Sequence, residues 1–185
     1  MTLTDEYVTD DATGGGWRMM LGDSCERLAE IPDASIDLGV HSPPFPSVYT
    51  YSGSLRDLGN ADSFPDFMNH YRFVIDELYR VHKPGRIHAV HVQQVAAKKA
   101  VHGFVGLLDF RGDVIREWQR AGWIYYGEVT IPKQPQAQAI RMKITAEHHD
   151  TQTNIYDGFN HITKAFLREL RQLIFTNFFI NKSHN

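Results

Sequence analysis

The sequence predicts an α/β protein built on a layered, mostly parallel sheet. Strand-like and helix-like segments alternate along the chain in the order strand, helix, strand, helix, strand, helix, strand. Glycine and proline residues mark the junctions between these segments. The chain has 185 residues, which is enough for one domain with its own core and hardly for two.

The cysteine count, charge and hydropathy exclude several classes of protein. Cys25 is the single cysteine, which excludes an internal disulfide and indicates a reducing compartment. The net charge is −3 with histidine neutral. This charge counts against tight DNA binding by the chain alone, because proteins that bind in this way usually have a basic footprint. No apolar run approaches the length of a membrane span, and residues 1–11 are acidic, unlike a signal peptide. We therefore expect a cytoplasmic protein without membrane contact.

The first elements are short. Residues 1–16 are expected to form a flexible polar lead that ends in three consecutive glycines. A strand-like run over residues 17–21 follows those glycines, so they indicate a turn and not a phosphate cradle, which would precede a helix. A short helix is expected over residues 25–30 and an apolar strand over residues 36–40.

The clearest helix is expected over residues 65–82. Ser63 and Asp66 form an N-terminal capping pattern before it, and Lys83-Pro84-Gly85 ends it. Its apolar residues recur at helical spacing and are expected to face the core: Phe67, Tyr71, Val74, Ile75, Leu78 and Val81.

The middle of the chain continues the alternation. A strand is expected over residues 87–92, a helix over 113–121 and a strand rich in β-branched and aromatic residues over 123–131. Residues 46–61, between the first apolar strand and the long helix, are expected to form a mobile loop. In the tail, residues 145–185, one amphipathic helix is expected, and an aromatic run follows it. The apolar positions of this helix are Phe166, Leu170, Leu173 and Ile174.

The most distinctive motif is Ser42-Pro43-Pro44-Phe45, directly after the apolar strand over 36–40. The two prolines remove two backbone donors and hold φ near −65°, and each restricts the residue before it to extended conformations. The strand therefore ends in a stiff loop that exposes a hydroxyl, carbonyl oxygens and an aromatic ring. This combination suits a planar amine, because it offers acceptors for the N–H groups and a ring for stacking.

The motif and its surroundings resemble the DNA amino-methyltransferases, which methylate N6 of adenine or N4 of cytosine. Their signature is (Asp/Asn/Ser)-Pro-Pro-(Tyr/Phe) after a buried strand, and the serine form is more similar to the N4-cytosine branch without excluding adenine. The resemblance covers roughly residues 18–140 and implies a partial Rossmann-like methyltransferase fold. Three further segments stand in the family's order and spacing: Leu21-Gly22-Asp23-Ser24, Ile31-Pro32-Asp33 and Ser35-Ile36-Asp37.

The motif and the resemblance assign roles to five residues. The Ser42 Oγ and the Pro43 carbonyl are candidates to accept the N–H groups of a flipped-out base, held in the stiff loop that Pro44 helps to form, while Phe45 stacks on the base. The resemblance implies S-adenosylmethionine as methyl donor and DNA as substrate. Because a sulfonium donor is intrinsically reactive, the transfer requires no metal and no covalent intermediate. The resemblance also implies that Asp23 contacts the adenine part of the donor; alternatively, Asp23 is the N-cap of the helix that begins at Ser24.

The chain departs from the family in lacking the Phe-x-Gly-x-Gly loop that wraps the donor. Our leading interpretation is a site-specific DNA amino-methyltransferase from a restriction–modification or phage system. Residues 17–144 are then an incomplete catalytic domain, and a second chain or a homodimer supplies the missing loop. The alternatives are a truncated, non-catalytic fragment or nucleic-acid-binding half, and a related enzyme that methylates RNA or protein.

Two other groups of residues are interpreted structurally. The ten histidines include His88 and His91 on one predicted strand, but no cysteine or carboxylate lies at a tight metal-ligand spacing, so no metal site is predicted. Asp37 lies among apolar residues of a predicted strand. It is expected to be buried and to need partners there.

Overall fold

The structure is a computed structural model that describes residues 7–45, 52–97, 99–132 and 173–182. In those ranges the strands are β1 (Asp10–Gly14), β2 (Trp17–Leu21), β3 (Ile36–His41), β4 (His82–Gln93), β5 (Val95–Ala97), β6 (Gly106–Leu108), β7 (Trp123–Pro132) and β8 (Leu173–Asn181). The helices are α1 (Ser24–Ala29), α2 (Phe64–Val81), α3 (Lys99–His102) and α4 (Phe110–Arg120), with a 3₁₀ turn at Leu58–Asn60. None of the described helices is both long and apolar enough to cross a membrane.

The central sheet has four strands in the order β3-β4-β8-β7. β3 and β4 are parallel, whereas β8 is antiparallel to both β4 and β7. The predicted α/β class is confirmed, but the pairing is mixed and not mostly parallel. Three of the four strands run in one direction, and the single reversed strand between β4 and β7 makes two of the three pairings antiparallel.

The last strand corrects the prediction for the tail. Leu173 and Ile174, expected on a helix, lie at the start of β8. The side chains of β8 alternate: Asn177 and Phe179 are buried, while Phe178 is partly exposed. A strand forms here because these residues fill a gap between two other strands, which local spacing does not reveal. The remaining positions of the predicted helix, and the predicted loop after β7, lie outside the described residues.

The predicted flexible lead contains a strand. β1 pairs with β2 in an antiparallel hairpin in which Asp10 faces Leu21 and Gly14 faces Trp17. Gly16 in the turn has φ +85°, a conformation that glycine adopts readily. The strand was not expected because residues 10–14 have no apolar alternation; the hairpin instead gains cross-strand ion pairing.

Both predicted central helices are present. α2 begins and ends within a residue of its prediction, and the Ser63 hydroxyl accepts a hydrogen bond from the Asp66 amide at 3.2 Å. α4 begins three residues earlier than predicted, since Asp109 caps it by accepting from the Gly112 amide at 3.1 Å. The earlier start places Phe110 inside the helix, where it is fully buried.

The two helices α2 and α4 pack together on one face of the sheet and enclose the core. β3 is an edge strand, and its Leu38 and Val40 side chains are largely exposed on the opposite face. The short elements β5, α3 and β6 lie between β4 and α4 and were not predicted. The buried apolar residues of the core are Phe67, Met68, Tyr71, Ile75, Val90, Val92, Val95, Phe110, Val114, Trp118, Trp123 and Phe179.

Candidate functional site

The motif at residues 42–45, called the 42–45 loop below, follows the carboxyl end of β3. The neighbouring strand β4 runs parallel to β3, and the helices α2 and α4 both begin near this end of the sheet. Ser42 is exposed, Pro43 is buried, and Pro44 and Phe45 are half-buried. In a sheet of this kind, the carboxyl ends of parallel strands are where ligands bind.

The Ser42 hydroxyl has a defined hydrogen-bonding state. Its Oγ donates to the carbonyl oxygen of His91 on β4 at 2.9 Å. A hydroxyl has one proton and two lone pairs, so after this donation the exposed oxygen acts toward solvent as an acceptor. The bond also joins the start of the loop to the neighbouring strand.

Phe45 attaches the loop to the core. Its ring lies 5.8 Å from that of Phe110 in a tilted arrangement, and Phe110 in turn contacts Phe64 and Phe67, each at 5.6 Å between centroids. Contacts of this geometry add to the apolar burial of each ring. Phe45 therefore has a packing role, and part of the residue stays exposed to solvent.

Asp23 is the N-cap of α1, which confirms one of the two interpretations of this residue. Its Oδ1 accepts from the Cys25 amide at 2.9 Å, and its Oδ2 is paired with Arg56 at 3.2 Å. Arg56 also contacts Glu26 at 2.7 Å. Both carboxylate oxygens of Asp23 are thus already engaged within the chain.

Asp37 is exposed, which corrects its predicted burial. Its carboxylate pairs with Lys83 at 2.6 Å and with Arg86 at 3.0 Å, both from β4. The hydrogen bond from Lys83 is the main cause that lowers the pKa of this carboxyl group. The residue is exposed because β3 lies at the edge of the sheet, where its side chain reaches water together with its cationic partners.

A chain of hydrogen bonds behind the 42–45 loop was not predicted. His41, the residue before Ser42, bonds through Nδ1 to Nε2 of His88 at 2.7 Å and through Nε2 to the hydroxyl of Tyr71 at 2.7 Å. The His88 Nδ1 bonds to Nε2 of His82 at 3.2 Å, and the His82 Nδ1 bonds to the Leu78 carbonyl at 2.7 Å. His82, His88 and Tyr71 are each at most 2% exposed. We call these groups, with Trp118, the histidine chain.

Burial keeps the imidazoles of the histidine chain uncharged. Loss of solvation, with a smaller contribution from the neighbouring imidazoles, lowers the pKa of His41 to about 4 and that of His88 to about 2. The pKa of His82 is also lowered by burial. The sequence offered one signal for this cluster: histidines interrupt otherwise apolar strands, and Gly39 leaves room for two of them.

The histidine chain is not a metal site. Within the described ranges, no group of three or more histidine, cysteine or carboxylate residues has the geometry to hold a metal ion. The ring nitrogens of the chain face one another in series, and a metal would need them to converge on one point.

The described surface does not present a face of unpaired basic side chains from its main arginines. Its main arginines are paired with carboxylates, so much of their charge is neutralised within the chain. These pairs are Arg80 with Asp33 and Glu77, Arg111 with Glu128, Arg116 with Asp109 and Asp113, and Arg120 with Asp76 and Glu117. Such pairing leaves fewer cations for phosphate contacts than the count of basic residues suggests.

Acid is expected to destabilise the protein through the histidine chain. The pKa of His41 is about 4 in the folded chain and 6.5 in the unfolded chain, so the unfolded state binds the proton first as the pH falls. Stability is therefore lost as the pH falls from 6.5 toward 4. Between pH 7 and pH 5, this one group is expected to cost about 2 kcal/mol of unfolding free energy. Urea unfolding at several pH values measures the loss.

The control for this prediction is His70→Gln, since His70 lies exposed on α2 outside the histidine chain. That variant should retain the pH dependence between pH 7 and pH 5. A wild-type stability that stays constant over this interval contradicts the prediction.

The fold is similar to that of solved methyltransferases. A candidate DNA modification methylase from Thermus thermophilus, solved with S-adenosyl-L-methionine, matches with a TM-score of 0.59 and 19% identity over 89% of this chain and 53% of that chain. The PvuII DNA methyltransferase, described as cytosine-N4-specific, matches with a TM-score of 0.54 and 17% identity over 88% of this chain and 48% of that one. No family model and no curated protein matches the sequence.

These similarities define a Rossmann-like methyltransferase fold for the chain, as predicted. At identities of 19% and 17%, what they establish is the fold. The chain spans about half the length of the solved structures that it matches, 53% and 48% in these two cases.

Proposed function

We propose that the 42–45 loop holds the exocyclic amine of a nucleobase in DNA, and that the chain is the target-binding half of an S-adenosylmethionine-dependent methyltransferase. The observation that carries this proposal is the exposed Ser42 hydroxyl at the end of β3, whose proton is already donated to His91. An oxygen in this state accepts hydrogen bonds, which matches the N–H groups of an amine.

The chemistry follows from the electronic state of the amine. The nitrogen lone pair is delocalised into the ring, so the amine is a poor nucleophile. Acceptance of its two N–H groups by the Ser42 Oγ and the Pro43 carbonyl favours a pyramidal nitrogen and localises the lone pair. The base must leave the stack to reach these acceptors. The exposed part of the Phe45 ring, supported from behind by Phe110, then stacks on the base.

The methyl donor that we propose is S-adenosylmethionine, which supplies an electrophilic methyl group when bound. A structural neighbour solved with this compound supports the assignment. The described residues do not by themselves fit the donor, since both oxygens of Asp23 are engaged and the sequence has no Phe-x-Gly-x-Gly loop. We therefore assign the donor loop to a second chain of different sequence, because another copy of this chain would lack the same loop.

Calorimetry tests which chain holds the donor. Titration of the purified chain with S-adenosylmethionine is expected to give no heat at millimolar donor, because the donor loop is absent from the sequence. Measurable binding would instead show a donor site within this chain and overturn the assignment of the donor loop to a second chain.

The target that we favour is N4 of cytosine, with N6 of adenine as the other outcome. The serine form of the motif and the similarity to a cytosine-N4-specific enzyme both support cytosine. Incubation with labelled donor, mixed DNA and the protein chain that supplies the donor loop, followed by nucleoside analysis, identifies the base. Label that appears in RNA or protein instead of DNA would contradict the proposed substrate.

Ser42→Ala is expected to weaken recognition of the amine, because it leaves the Pro43 carbonyl as the one proposed acceptor. Wild-type protein should bind a single-stranded oligonucleotide containing cytosine better than one containing N4,N4-dimethylcytosine, which has no N–H group to donate. Each hydrogen bond lost corresponds to about 0.5–1.5 kcal/mol, so the loss of both N–H groups predicts a preference of roughly 5- to 100-fold for the wild type. With one acceptor left, Ser42→Ala should keep a preference of at most about tenfold. Fluorescence anisotropy with the two oligonucleotides measures the preference in each variant.

Ser35→Ala is the matched control for Ser42→Ala. The Ser35 hydroxyl also donates to a backbone carbonyl, that of Pro32 at 2.7 Å, but it lies at the opposite end of β3. This variant should keep the wild-type preference. A Ser42→Ala protein that discriminates the two oligonucleotides as strongly as the wild type would remove Ser42 from the proposed mechanism.

A further inference from the structure

The direction of hydrogen-bond donation along the histidine chain is fixed at its buried end. The Leu78 carbonyl can only accept a hydrogen bond, so the His82 Nδ1 must carry the proton that lies between them. A neutral imidazole has a single N–H, and therefore the His82 Nε2 is an acceptor. It receives the Nδ1 proton of His88 across 3.2 Å.

The same reasoning continues to the other end. The His88 Nε2 must accept from the Nδ1 proton of His41, and the His41 Nε2 must accept from the Tyr71 hydroxyl, each at 2.7 Å. The indole of Trp118, which can only donate, closes the chain on the Tyr71 oxygen at 3.4 Å. All three imidazoles are thus the Nδ1–H tautomer, and the chain has no site for a further proton.

The histidine chain holds the backbone from which the 42–45 loop begins. The His41 ring lies 5.8 Å from Trp118 in a stacked arrangement on the face of the sheet covered by helices. Ser42, the next residue, is bonded to the His91 carbonyl. Side-chain bonds therefore fix two consecutive residues, and through them the end of β3.

We propose that the histidine chain is a positioning device for the 42–45 loop. When all three imidazoles are neutral and each donates through Nδ1, the chain fixes His41 and the start of the loop. Addition of one proton to the chain releases them. A protonated imidazole has two donors, so it turns one hydrogen bond of the chain into a contact between two N–H groups. Because the bonds are buried, such a contact cannot be relieved by water without local opening. The inference concerns loop geometry; only its effect on base binding rests on the proposed function.

The surroundings of the histidine chain offer no described anion to stabilise the added proton. Tyr71 from α2, Trp118 from α4 and Trp123 from β7 enclose the rings, and β8 contributes the Asn181 amide, which donates to the His82 carbonyl. Burial raises the pKa of the Tyr71 phenol, so it stays a donor. On the two strands that carry the histidines, the described carboxylate is that of Asp37, already paired with two cations.

Nuclear magnetic resonance of the full chain with ¹⁵N-labelled histidine tests the device directly. At pH 7.5 we expect three imidazoles with a protonated Nδ1 and an unprotonated Nε2. On titration to pH 5 and below, the Ser42 and Phe45 backbone amides should shift together with the His41 ring nitrogens, with a midpoint well below 6.5. An Nε2–H tautomer for any of the three rings, or loop amides that stay fixed while His41 titrates, would overturn the proposal.

Two variants of His82 separate the direction of the chain from simple packing. His82→Gln keeps an acceptor oxygen near the position of Nε2, and it should preserve the Nδ1–H tautomer of His88. His82→Leu removes the acceptor and should abolish that tautomer. His70→Gln, outside the chain, should leave the titration of the loop amides unchanged. If His82→Leu does not fold, the wild-type tautomers and titration still decide the question.

The consequence for base binding is tested separately. If the proposed function is also correct, the preference for cytosine over N4,N4-dimethylcytosine should be lost as the loop amides shift. Shifted amides with no preference at any pH would retain the positioning device and remove the proposed function. Loop amides that stay fixed, together with a preserved preference for cytosine, would retain the proposed function and remove the positioning device.

Discussion

Phe179→Ala is expected to destabilise the protein by roughly 3–5 kcal/mol. The ring is fully buried in β8 and stacks on Trp118 with 4.6 Å between centroids, and it also contacts Tyr125 at 5.7 Å. Its removal leaves a cavity between the sheet and α4, where the surrounding rings cannot collapse freely. Urea unfolding monitored by tryptophan fluorescence gives the change in free energy.

Phe178→Ala is the control, because Phe178 is the preceding residue of the same strand and points to the opposite, partly exposed face. The same deletion of atoms there is expected to cost about 1 kcal/mol. Equal, small losses for both variants would show that β8 is not part of the sheet. If the Phe179→Ala protein does not fold, Phe179→Leu should give an intermediate loss.

Gly39→Ala is expected to have the second-largest effect. A methyl group on Gly39 would overlap the Nδ1 atom of His88 and lie 2.7 Å from Nε2 of His82, the two atoms that share a buried hydrogen bond. Overpacking costs about 1–3 kcal/mol, and a broken buried hydrogen bond adds about 1–3 kcal/mol. We expect a total loss of roughly 3–4 kcal/mol in the free energy of unfolding.

The matched control is Gly127→Ala, the same substitution in β7. No atom lies within 4 Å of a methyl group built at Gly127, so that variant should stay within about 0.5 kcal/mol of the wild type. Histidine ¹⁵N spectra provide the second measurement: Gly39→Ala should disturb the His88 and His82 signals, and Gly127→Ala should not. A Gly39→Ala protein with wild-type stability and unchanged signals would contradict the position of the histidine chain.

The helices and the proline motif were accessible to local reasoning because their signals are local. α2 has its cap at Ser63, its apolar stripe and its stop within one continuous window, and it was predicted to within a residue. The structure starts α4 three residues before the predicted start, because Asp109 accepts from the Gly112 amide and so caps the earlier turn. The 42–45 loop was found because two adjacent prolines restrict the backbone whatever surrounds them.

The structures of the tail and of the edge strand depend on strand pairing between residues far apart in the sequence, which no short stretch of sequence shows. The predicted helix included only Leu173 and Ile174 of β8, and the aromatic run after them was assigned to no element. The gap between β4 and β7 is what selects a strand there. Asp37 was predicted to be buried from its apolar neighbours in sequence. Its exposure follows from the position of β3 at the edge of the sheet, which sequence alternation alone does not fix.

The amino-acid sequence by itself determined the α/β class, the central helices and the stiff loop with its hydroxyl and ring, since each arises from residues that are close along the chain. Only the tertiary structure decided the state of that hydroxyl and the existence of the histidine chain. His91 lies 49 residues from Ser42, and His88 lies 47 residues from His41. The physical reason is that a proton's position in a hydrogen-bond chain depends on which acceptors folding brings within reach.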